Sequence, residues 1–268
     1  MTKYDAKANG VGCYHDWIDH KRSALLHERC PAAKRVVVIG NCELYQGDNT
    51  QILPHVEYCD LLATDPPYGI KQDKGFDGFD GFGGFGKPIQ RRQYDGEWDQ
   101  DRPDPEQLAM CLTAARKHII WGGNFFADLL PPQGKWLWWD KCQTMPTYGD
   151  GELAWTSLNG SAPKKFVYSN NGLMAKEKGR VHPTQKPVAV MEWCLGFLPD
   201  AHTILDPFMG YGTTGVACVK LGRKFIGIEL DPNYFDIACQ RIRKAYDQPD
   251  MFVEQPEPAP IQEGFDYE

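Results

Sequence analysis

The chain has 268 residues, 42% hydrophobic and 12% aromatic, with a formal net charge of −7. That length suits one large α/β domain or two small ones, and the apolar content excludes a chain unable to bury a core. No apolar run approaches the roughly 20 residues of a membrane helix, no basic-then-apolar leader opens the sequence, and the nine cysteines are scattered without a CxxC pair, so a reduced, cytoplasmic protein of bacterial or phage origin is expected, with no membrane partner.

The charge is concentrated at one end. Residues 247–268 hold seven acids and no Lys or Arg, which leaves residues 1–246 neutral, and "EQPEPAP" within that stretch suits an extended, disordered tail. Basic residues gather at Lys87, Arg91 and Arg92 and again from Lys164 to Arg180, where they suit either phosphates or solvated surface. Residues 1–35 are polar. They include Cys13, His15, His20, His27 and Cys30, but the spacing is not a zinc-ligand arrangement, and a short amphipathic helix around Trp17–His27 accounts for them, so no metal is expected.

From Asn41 onward strands and helices alternate. "CELYQGD" reads as a strand ending at Gly47-Asp48, and "YCDLLATD" as the next. The latter runs straight into "PPYGI"; proline is confined to strand ends and edges, so the strand must stop at a carboxylate, a rigid kink and an aromatic ring. Next comes "GFDGFDGFGGFG", Gly75–Gly86, whose glycines preclude a stable helix or strand; it is expected to act as a mobile flap. "PDPEQLAMCLTAAR" has helical spacing, "KHIIWGG", "GKWLWWDK" and "ELAWTS" are strands, and Ser157–Arg180 stands outside the rhythm. "TQKPVAVMEWCLGFL" is a helix with Pro187 in its first turn.

The segment "HTILDPFMGYGTTGVACVKLGRKFIGIELDPNYFDIACQRIRKAY" then gives strand, glycine-rich turn, helix, strand, acid and helix. Such alternation implies a mostly parallel sheet covered on both faces. Its GxGxxG, Gly210–Gly215, places backbone N–H groups and a helix start beside a ligand, and Glu229, 19 residues beyond Gly210, can hold two ribose hydroxyls. NAD fits that pattern, yet Asp206 precedes the glycines where a pyrophosphate would be repelled. A ligand carrying an ammonium and a sulfonium would be attracted instead. S-adenosylmethionine (AdoMet) carries both and no phosphate.

With these motifs in place, the sequence resembles the DNA amino-methyltransferases, AdoMet-dependent enzymes that methylate adenine N6 or cytosine N4. "TDPPYGI" is similar to their catalytic motif, "ILDPFMGYGTTGVA" to their cofactor loop, "GIELDPNYFDIACQRI" to their ribose-binding strand, and "RVHPTQKPVAVMEWCL" to the segment that cups the methionine end of AdoMet. The resemblance covers about residues 41–246, and the catalytic motif precedes the cofactor loop, the permuted order of the β class. It implies a Rossmann-like methyltransferase fold, a mostly parallel seven-stranded sheet with one antiparallel strand. It also implies an N-terminal extension (1–35), a catalytic domain (36–246) with a mobile loop (71–105) and a short target-recognition segment (157–180), and the acidic tail (247–268). Tyr211 departs from the family, which usually has Ser between the glycines.

The site residues follow from the resemblance. Asp65, Pro66, Pro67 and Tyr68 are the expected catalytic group, and Asp206, Phe208, Gly210, Gly212, Thr213, Thr214, Glu229, Thr184 and Lys186 the expected AdoMet set. Asp48 matches a family position near the target base. An exocyclic amine is a poor nucleophile because its lone pair is drawn into the ring; an ionised carboxylate and a fixed carbonyl accept its N–H bonds, and Tyr68 stacks on a base flipped out of the duplex. The expected partner is double-stranded DNA, with a homodimer and a cognate restriction endonuclease as further expectations. Asp at the start of the tetrapeptide favours adenine N6. Cytosine N4, a NAD-dependent oxidoreductase and a non-catalytic AdoMet-binding subunit are the alternatives.

Overall fold

The structure, a computed structural model, describes residues 14–69, 102–142, 149–169 and 186–247. In chain order its elements are α1 (Tyr14–Arg29), β1 (Arg35–Ile39), β2 (Cys42–Gln46), α2 (Asn49–Ile52), β3 (Cys59–Thr64), α3 (Pro105–Thr113), β4 (Ala115–Trp121), β5 (Trp136–Asp140), β6 (Gly151–Thr156), β7 (Lys164–Val167), α4 (Val188–Leu195), β8 (Thr203–Asp206), α5 (Thr213–Lys220), β9 (Lys224–Glu229) and α6 (Pro232–Asp247). The strands form one sheet in the order β1-β2-β9-β8-β3-β4-β6-β5-β7.

The seven strands from β2 to β5 in that order are the methyltransferase-type sheet expected from sequence. Six run in one direction and β6 alone is reversed, antiparallel to both β4 and β5. Two further strands extend the edges. β1 pairs antiparallel with β2 across a two-residue turn at Gly40-Asn41, where Gly40 adopts φ +55°, so the sheet begins before Asn41. β7 adds in parallel to β5, so part of Ser157–Arg180 is a strand after all; four residues on an outer edge carry too little apolar pattern to show as one.

β3 lies between β8 and β4, and its last four residues, Leu61 to Thr64, are all buried, the continuous pattern of a strand covered on both faces. On one face Leu61, Ala63, Ile119 and Ile204 pack with Met191, Cys218 and Ala238 from α4, α5 and α6. On the other, Leu62, Ile120, Leu205 and Ile226 meet Leu108, Cys111 and Phe126. α1 covers the β1 edge. Ser23 Oγ accepts the Val38 N–H at 2.8 Å and Asp19 accepts the Gly40 N–H at 2.8 Å, which satisfies groups an edge strand would otherwise present to other chains.

Pro187 is the cap of α4 rather than a residue of its first turn. Its backbone is extended (φ −64°, ψ 144°), and its carbonyl accepts the N–H groups of Val190 and Met191. No helix among the described residues is long and apolar enough to cross a membrane. The Gly75–Gly86 segment, Thr184 and the acidic stretch beyond residue 247 lie outside the described residues.

Candidate active site

The two motif-bearing turns meet because their strands are neighbours. β3 and β8 run parallel and side by side, so "DPPY" and "DPFMGYG" leave the same edge of the sheet. Thr64 Oγ1 ties the two ends together by donating to Asp206 Oδ1 at 2.7 Å. Ligands of open α/β sheets bind in the crevice beyond such strand ends.

Asp65 is the first residue past β3, and its side chain keeps 34% exposure, enough to face a ligand. Both carboxylate oxygens are engaged from within: Tyr68 Oη donates to Oδ1 at 2.5 Å, and Lys186 Nζ lies 2.5 Å from Oδ2. Each oxygen has a second lone pair, so the carboxylate can still accept from a substrate. Pro66 is buried and Pro67 half-buried, which fixes the turn between Asp65 and Tyr68.

The Tyr68 ring stacks on Phe125 (centroids 4.8 Å apart, planes at 17°) and meets Phe126 edge-on at 6.4 Å. Below it runs the backbone of Gly122, which closes β4 at φ +66°. A Cβ on Gly122 would overlap the Tyr68 ring, so glycine is required both for the turn and for the ring's seat.

Lys186 is the least expected member. Sequence placed it with the cofactor residues; here its Nζ contacts the Asp65–Tyr68 turn. It contacts Asp65, lies 2.8 Å from Glu152 Oε2 and 3.2 Å from the Tyr68 hydroxyl, and sits 5.1 Å from the Trp121 ring centre, with its side chain only 4% exposed. A lysine this buried needs paired carboxylates to remain charged. Burial lowers its proton affinity, but Asp65 and Glu152 outweigh that and hold it well above the usual lysine range. For Glu152, burial pushes upward, yet the charges of Lys186 and Lys141 bring it down to about 2. Burial raises Asp65 above the usual carboxylate range, and Lys186 restrains that rise.

The glycine loop has the geometry of a ligand cradle. Gly210 takes φ +49° with nothing within 4 Å of where a Cβ would sit, so the space beside it is open. Gly212 takes φ +71° and faces Ala238 of α6. A Cβ on Gly215 would come within 2.6 Å of Ile242 and 2.8 Å of Phe225, so this glycine lets α5 close onto β9 and α6. Glu229, at the end of β9, accepts the Gly210 N–H at 2.8 Å and the Asp231 N–H at 2.8 Å. Burial pushes its carboxyl up to about 7. Tyr211 stays out of the turn: its ring lies against Tyr234 at 4.7 Å, and its carbonyl accepts from Arg241 at 2.5 Å.

Asp206 acts beneath the loop. It is 3% exposed and accepts from Thr64, from Thr214 Oγ1 at 2.6 Å and from the Phe208 N–H at 3.2 Å, so it organises the turn and projects only its charge. Burial pushes it from the ordinary 3.8 up to about 6. A folded-state value raised above the unfolded one contributes stability that is present below about pH 4 and lost as pH rises through about 6. Two pKa units correspond to about 3 kcal/mol. Asp206→Asn keeps an acceptor for Thr64 and Phe208 and offers a donor to Thr214, but does not titrate. In thermal melts the variant is expected to exceed the unaltered chain at about pH 8, with the gap shrinking towards about pH 4; a gap independent of pH would contradict this reading.

Asp48 follows β2, on the far side of β9 and β8 from β3, and caps α2 by accepting the Thr50 N–H at 2.9 Å. The Gly47 N–H donates to the Glu229 carbonyl at 2.9 Å, which sets Asp48 beside the end of β9. Next to it, buried Asn49 donates to the Pro207 carbonyl at 2.9 Å and braces the β8 turn. Sequence reasoning missed Glu152, Lys141 and Gly122. The first two read as ordinary charged strand-end residues, and the double glycine after "HIIW" was the one visible signal for the third.

Comparison with known proteins follows the same lines. Residues 120–240 match the DNA methylase family. The Type II methyltransferase M2.LlaDCHI of Lactococcus lactis subsp. cremoris is 32% identical over 148 residues, 55% of this chain and 49% of that protein. The Type II methyltransferase M2.DpnII of Streptococcus pneumoniae is 32% identical over 146 residues, 54% and 48% respectively. The chain thus spans about half the length of the curated relatives it matches. In fold it is similar to the PvuII DNA methyltransferase (cytosine-N4-specific), with a TM-score of 0.51 at 15% identity, covering 78% of this chain and 92% of that one. From β4 to α6 the chain is similar to the DNA methylase family, and it carries the tetrapeptide and the glycine loop on adjacent strand ends.

Proposed function

We propose that this protein transfers a methyl group from AdoMet to the exocyclic N6 of adenine in double-stranded DNA. The observation that carries the reading is the juxtaposition at the β3 and β8 ends: an acid, two prolines and a tyrosine stand beside a glycine cradle with open space at Gly210 and a carboxylate at Glu229. That cradle fits AdoMet. Glu229 would hold the ribose, the loop from Phe208 to Thr214 would line the cofactor, and the negative charge of Asp206 favours a cationic ligand. When bound, AdoMet supplies an activated methyl group, so positioning and electrostatics suffice for transfer.

The protein's part is to prepare the amine. Asp65 accepts one N–H and the Pro66 carbonyl the other, which draws the nitrogen lone pair out of the ring and towards the methyl carbon. As the N–C bond forms, the methyl–sulfur bond would break with its electron pair left on sulfur as a neutral thioether, and the nitrogen's surplus proton would leave to Asp65 and from its exposed side to water. Tyr68 stacks against the flipped base. Asp at the head of the tetrapeptide supports adenine through the family resemblance. The relatives' Type II designation supports a restriction–modification setting with a cognate restriction endonuclease. Calorimetry with AdoMet and with NADH, followed by incubation with methyl-labelled AdoMet and duplex DNA, tests the reading. Binding of AdoMet but not NADH and label in the DNA are expected; binding of NADH alone would return the chain to the oxidoreductases.

A further inference from the structure

Across the strand-end crevice runs a line of alternating charge: Lys141, Glu152, Lys186, Asp65. Glu152 bridges the two lysines, 2.5 Å from Lys141 Nζ and 2.8 Å from Lys186 Nζ. Lys141 itself rests 5.1 Å above the Trp139 ring centre, at the outer end of the line. The arrangement depends on the reversed strand. Because β6 runs against β4 and β5, its first residues lie where the parallel strands finish, and Glu152, paired with Trp139, is delivered to the catalytic edge.

We infer that Glu152 and Lys186 are positioning residues for Asp65: Glu152 anchors the Lys186 ammonium, and Lys186 holds the Asp65 carboxylate in the orientation that receives the substrate amine. The inference rests on the methyl-transfer reading above. The geometry argues it in three steps. Lys186 is almost wholly buried, so its charge is fixed by its partners rather than by water. Those partners are two carboxylates, of which only Asp65 borders the proposed substrate; Glu152 therefore serves the site through Lys186. The Tyr68 hydroxyl donates to Asp65 and lies within reach of Lys186, so the orientation of the carboxylate and the position of the tyrosine are set together.

The groups facing Lys186 are Asp65 and Tyr68 beyond β3, the Trp121 ring on β4, Glu152 on β6 and the buried Cys194 thiol on α4, with Lys141 behind Glu152. Asp206 acts on Asp65 from β8. Glu152 raises the proton affinity of both Asp65 and Lys186. Removing its charge therefore lowers both, and the acid limb of activity, where Asp65 gains its proton, should slide towards lower pH. Removing the charge of Lys141 should do the reverse.

The test uses the full chain with Glu152→Gln and, as a variant at the outer end of the cluster, Lys141→Met. For Glu152→Gln, kcat is expected to fall about 10- to 100-fold near neutral pH with AdoMet affinity within about threefold, and the acid limb of the kcat profile should move to lower pH. For Lys141→Met the acid limb should move to higher pH. Carboxyl-carbon NMR of Asp65 in the unliganded protein should show the same two opposed shifts without any turnover. An acid limb that stays in place, or Asp65 titrating identically in all three proteins, would overturn the inference. A failure of the unaltered chain to methylate DNA would overturn the parent reading instead, and the NMR comparison separates the two.

Discussion

Asp65→Ala is expected to lower methyl transfer by about 10³-fold or more while AdoMet binding stays within about threefold. The carboxylate is the acceptor that draws the amine lone pair out of the ring, and no neighbour can replace it. Glu152 is turned towards the two lysines, Asp206 is sealed beneath the glycine loop, and Glu229 is hydrogen-bonded at the end of β9. The variant should still fold. Lys186 keeps Glu152 as its counter-charge, and Tyr68 keeps its stack on Phe125. Single-turnover rates beside calorimetric AdoMet binding check the split. Retained transfer would remove Asp65 from the mechanism, and loss of both quantities together would point to a collapsed site.

Gly122→Ala is the second large effect. Alanine at φ +66° costs about 1–2 kcal/mol of backbone strain. The heavier consequence is steric, since the new methyl group occupies the place of the Tyr68 ring. Tyr68 cannot shift sideways while it is stacked on Phe125 with Phe126 at its edge, so it must leave its seat and break its hydrogen bond to Asp65. A displacement of about 1 Å at a reacting centre is worth about 100-fold in rate. Transfer should therefore fall by about that factor, with a loss of folding stability of only about 1–3 kcal/mol. Thermal melts and methylation rates on one preparation test this; a wild-type rate would show that the seat of Tyr68 is unimportant.

How much of this was legible in the sequence depends on the range of the interaction. The apolar run before Asp65 and the glycines from Gly210 to Gly215 are local signals, and both ended up where local rules put them, at the ends of buried parallel strands. The reversed strand β6 could be anticipated through the family resemblance, but not the pairing that brings Glu152 to Lys186, 34 positions apart in the chain. A buried lysine looks the same in sequence as a solvated one. Only the fold reveals that Lys186 is enclosed by Trp121 and two carboxylates, Asp65 and Glu152. Edge strands gave the weakest signals: Lys164–Val167 offers one partly buried residue, Phe166, among exposed neighbours. The hairpin at Gly40-Asn41 had the turn chemistry of a strand pair and an apolar run, Val36 to Ile39, directly ahead of it.

The Asp48 carboxylate caps α2, and the strand before it is separated from β3 by β9 and β8. The neighbouring Asn49, which braces the Pro207 carbonyl, has the more direct structural link to the site.

The central claim is that the Asp65 turn holds an exocyclic amine of adenine for methylation. Base-resolved mapping of duplex DNA of varied sequence, after incubation with the protein and methyl-labelled AdoMet, tests it most directly. The account predicts label on adenine N6, absent with Asp65→Ala. Label on cytosine N4 would retain the chemistry and change the base, whereas label on a ring carbon, or no label in DNA from a protein that binds AdoMet, would contradict it.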